Sequence, residues 1–180
     1  QPSNGAVTVS GATATYTSTT NFSGTVSFTF QANDGQANSN VATVTVTVRN
    51  RNDAPVATNS AVTTNEDVRK SITLAASDAD GDGVSYTIVG NPVNGTVSVS
   101  GNTATYTPTA NFNGSDSFTF QANDGVASSN VATVTVTVRP VNDRPTVVSE
   151  RITMPEDSSD VLIDVLANDA DVDGDSLSLF

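Results

Sequence analysis

The sequence predicts an all-β chain of tandem β-sandwich repeats of about 90 residues. Three observations carry the prediction. Shifted by 90 residues, positions 1–55 superimpose on 91–145 with 40 of 55 identical. Apolar residues alternate with Thr and Ser in short runs, the period of a half-buried strand. Gly- and Asn-rich turn signals separate those runs, and no segment of useful length carries a helical period. A fixed internal period of this size marks a repeat array.

Within one period the elements come in order. Val97 and Val99 alternate with serines after the turn signal Asn94-Gly95. Gly101-Asn102 makes a hairpin-like turn before Ala104 and Tyr106, and Asn113-Gly114 precedes Phe118 and Phe120. Val134, Val136 and Val138 alternate with threonines, as do Val44, Val46 and Val48. About seven short strands per period fit an antiparallel sandwich of immunoglobulin-like size, with Tyr86, Tyr106, Phe112, Phe118 and Phe120 as core residues. A third copy starts near residue 143, where Ile152, Leu162, Ile163, Val165, Leu166, Leu177 and Leu179 argue for strands between acidic residues. The expected division is 1–52 as the back of one repeat, 53–142 as a whole repeat and 143–180 as the front of another. The chain opens on Gln1-Pro2 rather than Met, which suggests an excerpt or a processed product.

The charge balance excludes several functions. Net charge is −12, with no basic cluster, which disfavours nucleic acid and anionic membranes as partners. No apolar run approaches transmembrane length, so membrane insertion by this segment is not expected, and none of its stretches reads as a signal peptide. There is no cysteine for disulfides or thiolate metal sites, and no histidine, the commonest general base. With neither residue no nucleophile–base pair assembles in the usual way, and an enzyme is not expected. Ten of the 19 acidic residues lie from Asp143 onward.

Those acids are patterned. Asp169-Ala170-Asp171-Val172-Asp173-Gly174-Asp175 and Asp78-Ala79-Asp80-Gly81-Asp82-Gly83 both read D-x-D-x-D-G. Alternate carboxylates followed by a glycine turn are how short loops gather oxygen ligands for Ca2+. Two carboxylates about 5 Å apart repel by roughly 3 kcal/mol at an effective dielectric near 20, so solvent or a cation must neutralise such a loop. An EF-hand is excluded, because its twelfth position would be Val89 or Phe180 rather than a bidentate glutamate. The bland alternative is that these aspartates only form turns, which Asp favours with or without metal.

Read along one period, Asn52-Asp53-Ala54-Pro55, Asn65-Glu66-Asp67, Ser77-Asp78-Ala79-Asp80 and Ala122-Asn123-Asp124-Gly125 occur in that order, leading to Asn142-Asp143. This resembles the cadherin repeat, with its NDNAP, PEN, DxD and AxDxG motifs, and most closely the bacterial cadherin-like tandem repeats of large surface and biofilm adhesins of the RTX type. The resemblance implies Ca2+ at the junctions between consecutive repeats. One junction would draw on Glu66, Asp143, Asp169 and Asp171, with Asp173 or Asp175. The other would draw on Asp53, Asp78, Asp80 and Asp124, with Asp82 in the same loop. By the repeat, Asp34 corresponds to Asp124 and Glu156 to Glu66, which adds both to the candidate metal ligands. Pro140 and Asn50 stand where cadherins usually place another aspartate, so one or two ions per junction are expected.

The function implied is an extracellular extender or adhesion module of a bacterial adhesin or surface filament, stiffened by Ca2+ at its junctions. Its partners would be neighbouring repeats of the array or other copies of the chain. Two alternatives stand beside it. One is a fibre subunit whose half-repeats complete each other between chains. The other is a carbohydrate-binding surface module, for which the chain has no tryptophan platform.

Overall fold

The computed structural model describes residues 1–157 and 159–179, so Phe180 lies outside the described residues. The chain divides into two compact units. One comprises Gln1–Ala57, Ala76–Ser85 and Gln121–Asn130, the other Thr58–Ala75, Tyr86–Phe120 and Val131–Phe180. The strands are β1 (Gly5–Ser10), β2 (Thr13–Ser18), β3 (Gly24–Phe30), β4 (Ala42–Val48), β5 (Val56–Ala57), β6 (Ser60–Asn65) and β7 (Lys70–Thr73). They continue as β8 (Ala76–Ser77), β9 (Ser85–Gly90), β10 (Gly95–Ser100), β11 (Thr103–Pro108), β12 (Gly114–Asn123) and β13 (Ala132–Arg139). No helix among the described residues is long and apolar enough to cross a membrane.

The middle stretch builds a four-stranded sheet, β6-β13-β12-β9, and a three-stranded sheet, β10-β11-β7. The expected alternation sets which side chains point inward. On β13, Ala132, Val134, Val136 and Val138 are buried, while the threonines between them face outward, because successive residues of a strand point to opposite faces. Phe118 and Phe120 of β12, Tyr106 of β11 and Leu74 join them in the core. Tyr86 lies with its ring centroid 6.1 Å from that of Phe120. Tyr106 also links the two sheets, donating its hydroxyl hydrogen to Asp116 Oδ2 on β12 at 2.9 Å. One pairing departs from the antiparallel expectation: β6 runs parallel to β13, from Ser60 beside Val134 to Asn65 beside Arg139. A parallel pair needs a long crossover, and here the connection contains all the other strands of both sheets.

In the first unit, β1 pairs with β2, β3 with β4 and β5 with β8. The turn between β1 and β2 places Gly11 at φ 58°, a left-handed conformation that suits glycine. The inward-patterned residues here are less covered than their counterparts 90 residues on.

Residues 143–179 correct one expectation. Their apolar residues do not form strands. The isolated bridge between Thr146 and Ala170 is the ladder contact among the described residues there, closed by N–H donation in both directions at 2.8 and 3.0 Å. Alternation makes a strand only when a neighbouring strand takes up its backbone hydrogen bonds, and among the described residues no strand runs beside this segment.

Candidate metal centres

Two acidic clusters bring a carboxylate oxygen from each of three residues within 4.8 Å of one another: Asp78, Asp80 and Asp82, and Glu66, Asp143 and Asp173. The first sits on the loop between β8 and β9. Asp78 Oδ1 accepts the backbone N–H groups of Asp80 at 2.9 Å and Asp82 at 3.2 Å. These bonds fold the loop back on its first residue, and Gly81 makes the turn at φ 82°. Asp80 Oδ2 accepts the Asp53 N–H at 2.7 Å. Asn52 Nδ2 donates to the Asp53 carbonyl and, at 2.9 Å, to Asp124 Oδ2. Asp124 Oδ1 accepts the N–H groups of Val126 and Ala127, and these bonds with that of Asn52 hold its carboxyl below the ordinary carboxylate range. Asp78 Oδ2 is buried and has no hydrogen-bond partner.

The second cluster collects residues distant in sequence. Glu66 comes directly after β6 and is buried; its N–H donates to the Arg139 carbonyl at 2.9 Å. Oε1 of Glu66 accepts the Val141 N–H, while Oε2 is buried without a partner. The next residue, Asp67, takes φ 59°, which Asp tolerates better than most residues. Asp143 donates its N–H to Asp173 Oδ2 at 2.6 Å, and its own Oδ2 is buried without a partner. Burial, then the charges of Asp173, Asp67, Glu66 and Asp171, pushes the Asp143 carboxyl above its ordinary value. A buried oxygen without a donor, among like charges, calls for a positive charge. The donor set is hard oxygen throughout, which suits Ca2+ and fits a sulfur- or nitrogen-preferring metal poorly.

The two loops correspond in a register different from the sequence alignment D-x-D-x-D-G. Asp171 Oδ1 accepts the N–H groups of Asp173 at 2.9 Å and Asp175 at 3.3 Å, as Asp78 does for Asp80 and Asp82. Gly174 takes φ 82°, as Gly81 does. The shared unit is therefore D-x-D-G-D, with Asp171, Asp173 and Asp175 matching Asp78, Asp80 and Asp82. Asp169 falls two residues before it and instead accepts the Val148 N–H at 2.7 Å. The bridges agree, since Thr146 faces Ala170 as Val56 faces Ser77.

Other candidates stand apart from both clusters. Asp34 accepts the N–H groups of Gln36 and Ala37 at 2.8 Å, which lowers its pKa from the ordinary value. Glu156 is exposed, and Asp157 beside it takes φ 62°, the same turn as Asp67. Sequence reasoning missed Asn52, which ties Asp124 to Asp53, and Asp67, whose charge acts on Asp143. It also missed Asp116, where a carboxylate among strand residues was the available signal.

The bacterial Ig domain family matches residues 1–47, 52–137 and 142–180, and the chain belongs to that family. Among solved structures, human mucin-like protocadherin EC1-2 is 18% identical, with 78% of this chain and 81% of that chain covered at a TM-score of 0.50. The human desmocollin-1 ectodomain is 19% identical over 78% of this chain and 33% of that one, at 0.44. An endo-fucoidan hydrolase of glycoside hydrolase family 107, MfFcnA4, is 21% identical over 78% of this chain, at 0.42. This chain spans 23% of that hydrolase. No curated protein matches. The fold is thus all-β and immunoglobulin- and cadherin-like.

Proposed function

We propose that the chain is a Ca2+-stiffened extender segment of a large extracellular bacterial adhesin or surface filament, with repeats divided at 1–52, 53–142 and 143–180. The observation that supports it best is the pair of buried, unpartnered oxygens Glu66 Oε2 and Asp143 Oδ2. Glu66 directly follows a strand of the middle repeat, Asp143 lies in the linker after that repeat, and Asp173 belongs to the next repeat's loop. A cation held by all three ties the middle repeat to its C-terminal neighbour, and mass action makes that tie depend on Ca2+ concentration. The Asp78–Asp80–Asp82 loop, with Asp53 and Asp124 close by, offers the same kind of oxygen set beside the preceding linker. Ca2+ suits such loops better than Mg2+, because it accepts six to eight oxygens in flexible geometry.

Calorimetric titration tests this. The whole chain takes up Ca2+ at both clusters, Glu66→Gln removes one binding event and Asp80→Asn the other, and Mg2+ competes weakly. Absence of Ca2+ binding up to roughly millimolar concentration, the weak end for extracellular modules, rejects the proposal.

A further inference from the structure

The Asp78–Asp80–Asp82 centre is oriented by backbone from outside its own loop. Asp80 Oδ2 accepts the Asp53 N–H at 2.7 Å, so the course of the linker fixes the plane of the Asp80 carboxylate. Two asparagine side chains pin that linker, one on each side of Asp53. Asn130 accepts the Ala57 N–H and donates to the Ala57 carbonyl, both at 3.0 Å. Asn52 carries two N–H groups on one nitrogen. It donates to the Asp53 carbonyl at 3.2 Å and to Asp124 Oδ2 at 2.9 Å.

Asp124 is a firm anchor for this clip. Its Oδ1 accepts the Val126 and Ala127 N–H groups, each at 2.7 Å. Its own N–H donates to the Ala127 carbonyl at 3.3 Å, and Asn123 Oδ1 accepts the Gly125 N–H at 2.8 Å. The β12–β13 loop therefore presents Asp124 Oδ2 to the linker in a fixed direction. A neutral amide suits the place between them, because it supplies donors without adding charge, whereas a carboxylate there would repel Asp124. Part of the arrangement recurs at the next linker. Asn142 Nδ2 donates to the Asp143 carbonyl, and the Asp143 N–H reaches Asp173 Oδ2 at 2.6 Å. Asp173 holds the place in its loop that Asp80 holds in the other.

We propose that Asn52 is a positioning residue for the Asp78–Asp80–Asp82 centre: clipped to Asp124, it sets the Asp53 N–H that orients the Asp80 carboxylate toward the cation. The role rests on the Ca2+ reading proposed above, and gives that centre a determinant of affinity that carries no charge. Groups that orient metal ligands from outside act in this way, fixing the geometry in which the ligand atoms meet the ion.

Ca2+ titration calorimetry on the whole chain carrying Glu66→Gln, which keeps this centre alone, tests the role. Asn52→Ala should weaken binding roughly 10–100-fold, the usual loss when an outer partner of a metal ligand is removed, while the far-ultraviolet β signature persists. Asn52→Asp separates positioning from charge. It adds a carboxylate near the cation, which by Coulomb attraction alone would tighten binding. Loss of the amide donor and repulsion from Asp124 should instead weaken it. N52D/D124N exchanges donor and acceptor at the parent's net charge and should regain most of the affinity. Binding by Asn52→Ala as tight as that of the Glu66→Gln parent overturns the proposal. So does tighter binding by Asn52→Asp, or a double variant no better than Asn52→Asp alone. A Glu66→Gln chain that takes up no Ca2+ is a separate result, which rejects the Ca2+ reading at this centre and the role of Asn52 with it.

Discussion

Val26 and Asp116 occupy the same place in two repeats 90 residues apart, and both are buried. Asp116 makes its burial tolerable by accepting N–H groups from Val93, Asn94 and Ser117 and the Tyr106 hydroxyl. Burial works to raise its pKa, but those bonds prevail and hold the carboxyl below its ordinary value; burial and the same carboxylate push the Tyr106 hydroxyl up. Asp116→Ala strips the network and should cost about 2–3 kcal/mol in denaturant unfolding, the usual scale for buried donors left unpaired. Asp116→Val should cost less, since it restores the side chain the sister repeat uses, and the Tyr106 hydroxyl keeps the Asn94 carbonyl as Tyr16 keeps that of Asn4. The depressed pKa sets the sign with pH. The carboxylate's contribution is complete above the ordinary value of 3.8 and is lost as pH falls through the lower folded value. Acid unfolding curves of the Asp116 variants should therefore be flatter below that value than the parent's. Asp143 has the opposite character. In chelator its charge works against the fold, so Asp143→Asn should raise the melting temperature by a few degrees, while in Ca2+ the same change should lower it.

Strand positions were legible because alternation of Val, Phe and Thr has period two and a buried face enforces it. The runs at Val97–Val99, Ala104–Tyr106, Phe118–Phe120 and Val134–Val138 are β10, β11, β12 and β13, while β6, β7 and β9 had no run assigned to them. The parallel partnership of β6 and β13 was not legible, since alternation says which face is buried and nothing about which strand lies alongside. The aspartate loops were visible as acidic, but their correspondence was misaligned by two residues. Asp169 completes the same written pattern, and only the N–H groups of Asp173 and Asp175 turning toward Asp171 reveal the true first residue. The cluster containing Glu66 was accessible only through the family resemblance, because its members lie 77 and 30 residues apart. Glycine at the start of β10 is explained by contact. A Cβ on Gly95 would sit 2.6 Å from the Thr107 carbonyl oxygen and 2.8 Å from the Tyr106 ring. Gly95→Ala should destabilise the middle repeat by about 1–3 kcal/mol, the cost of overpacking, with near-ultraviolet circular dichroism reporting the displaced tyrosine.

For the whole chain, the proposed cation and the sandwich would contribute separately to stability. The buried core of the middle stretch rests on Tyr106, Phe118, Phe120, Leu74 and the valines of β13, none of which belongs to either acidic cluster. Chelation should therefore lower the melting temperature while the far-ultraviolet β signature at room temperature persists. Saturation with Ca2+ at about 100 times its dissociation constant should add about 2.7 kcal/mol per site. A melting curve indifferent to chelator would mean that the acidic loops are turns and nothing more.

The side-by-side course of β6 and β13 has a mechanical consequence. The middle repeat begins near one and ends at the other, and both run the same way through six consecutive register positions, from Ser60–Val134 to Asn65–Arg139. A pull on the two ends of that repeat slides the strands lengthwise past each other and loads those rungs together, instead of peeling them off one at a time. A chain drawn taut would meet its greatest resistance there, and single-molecule stretching should register that pair as the mechanical clamp of the repeat.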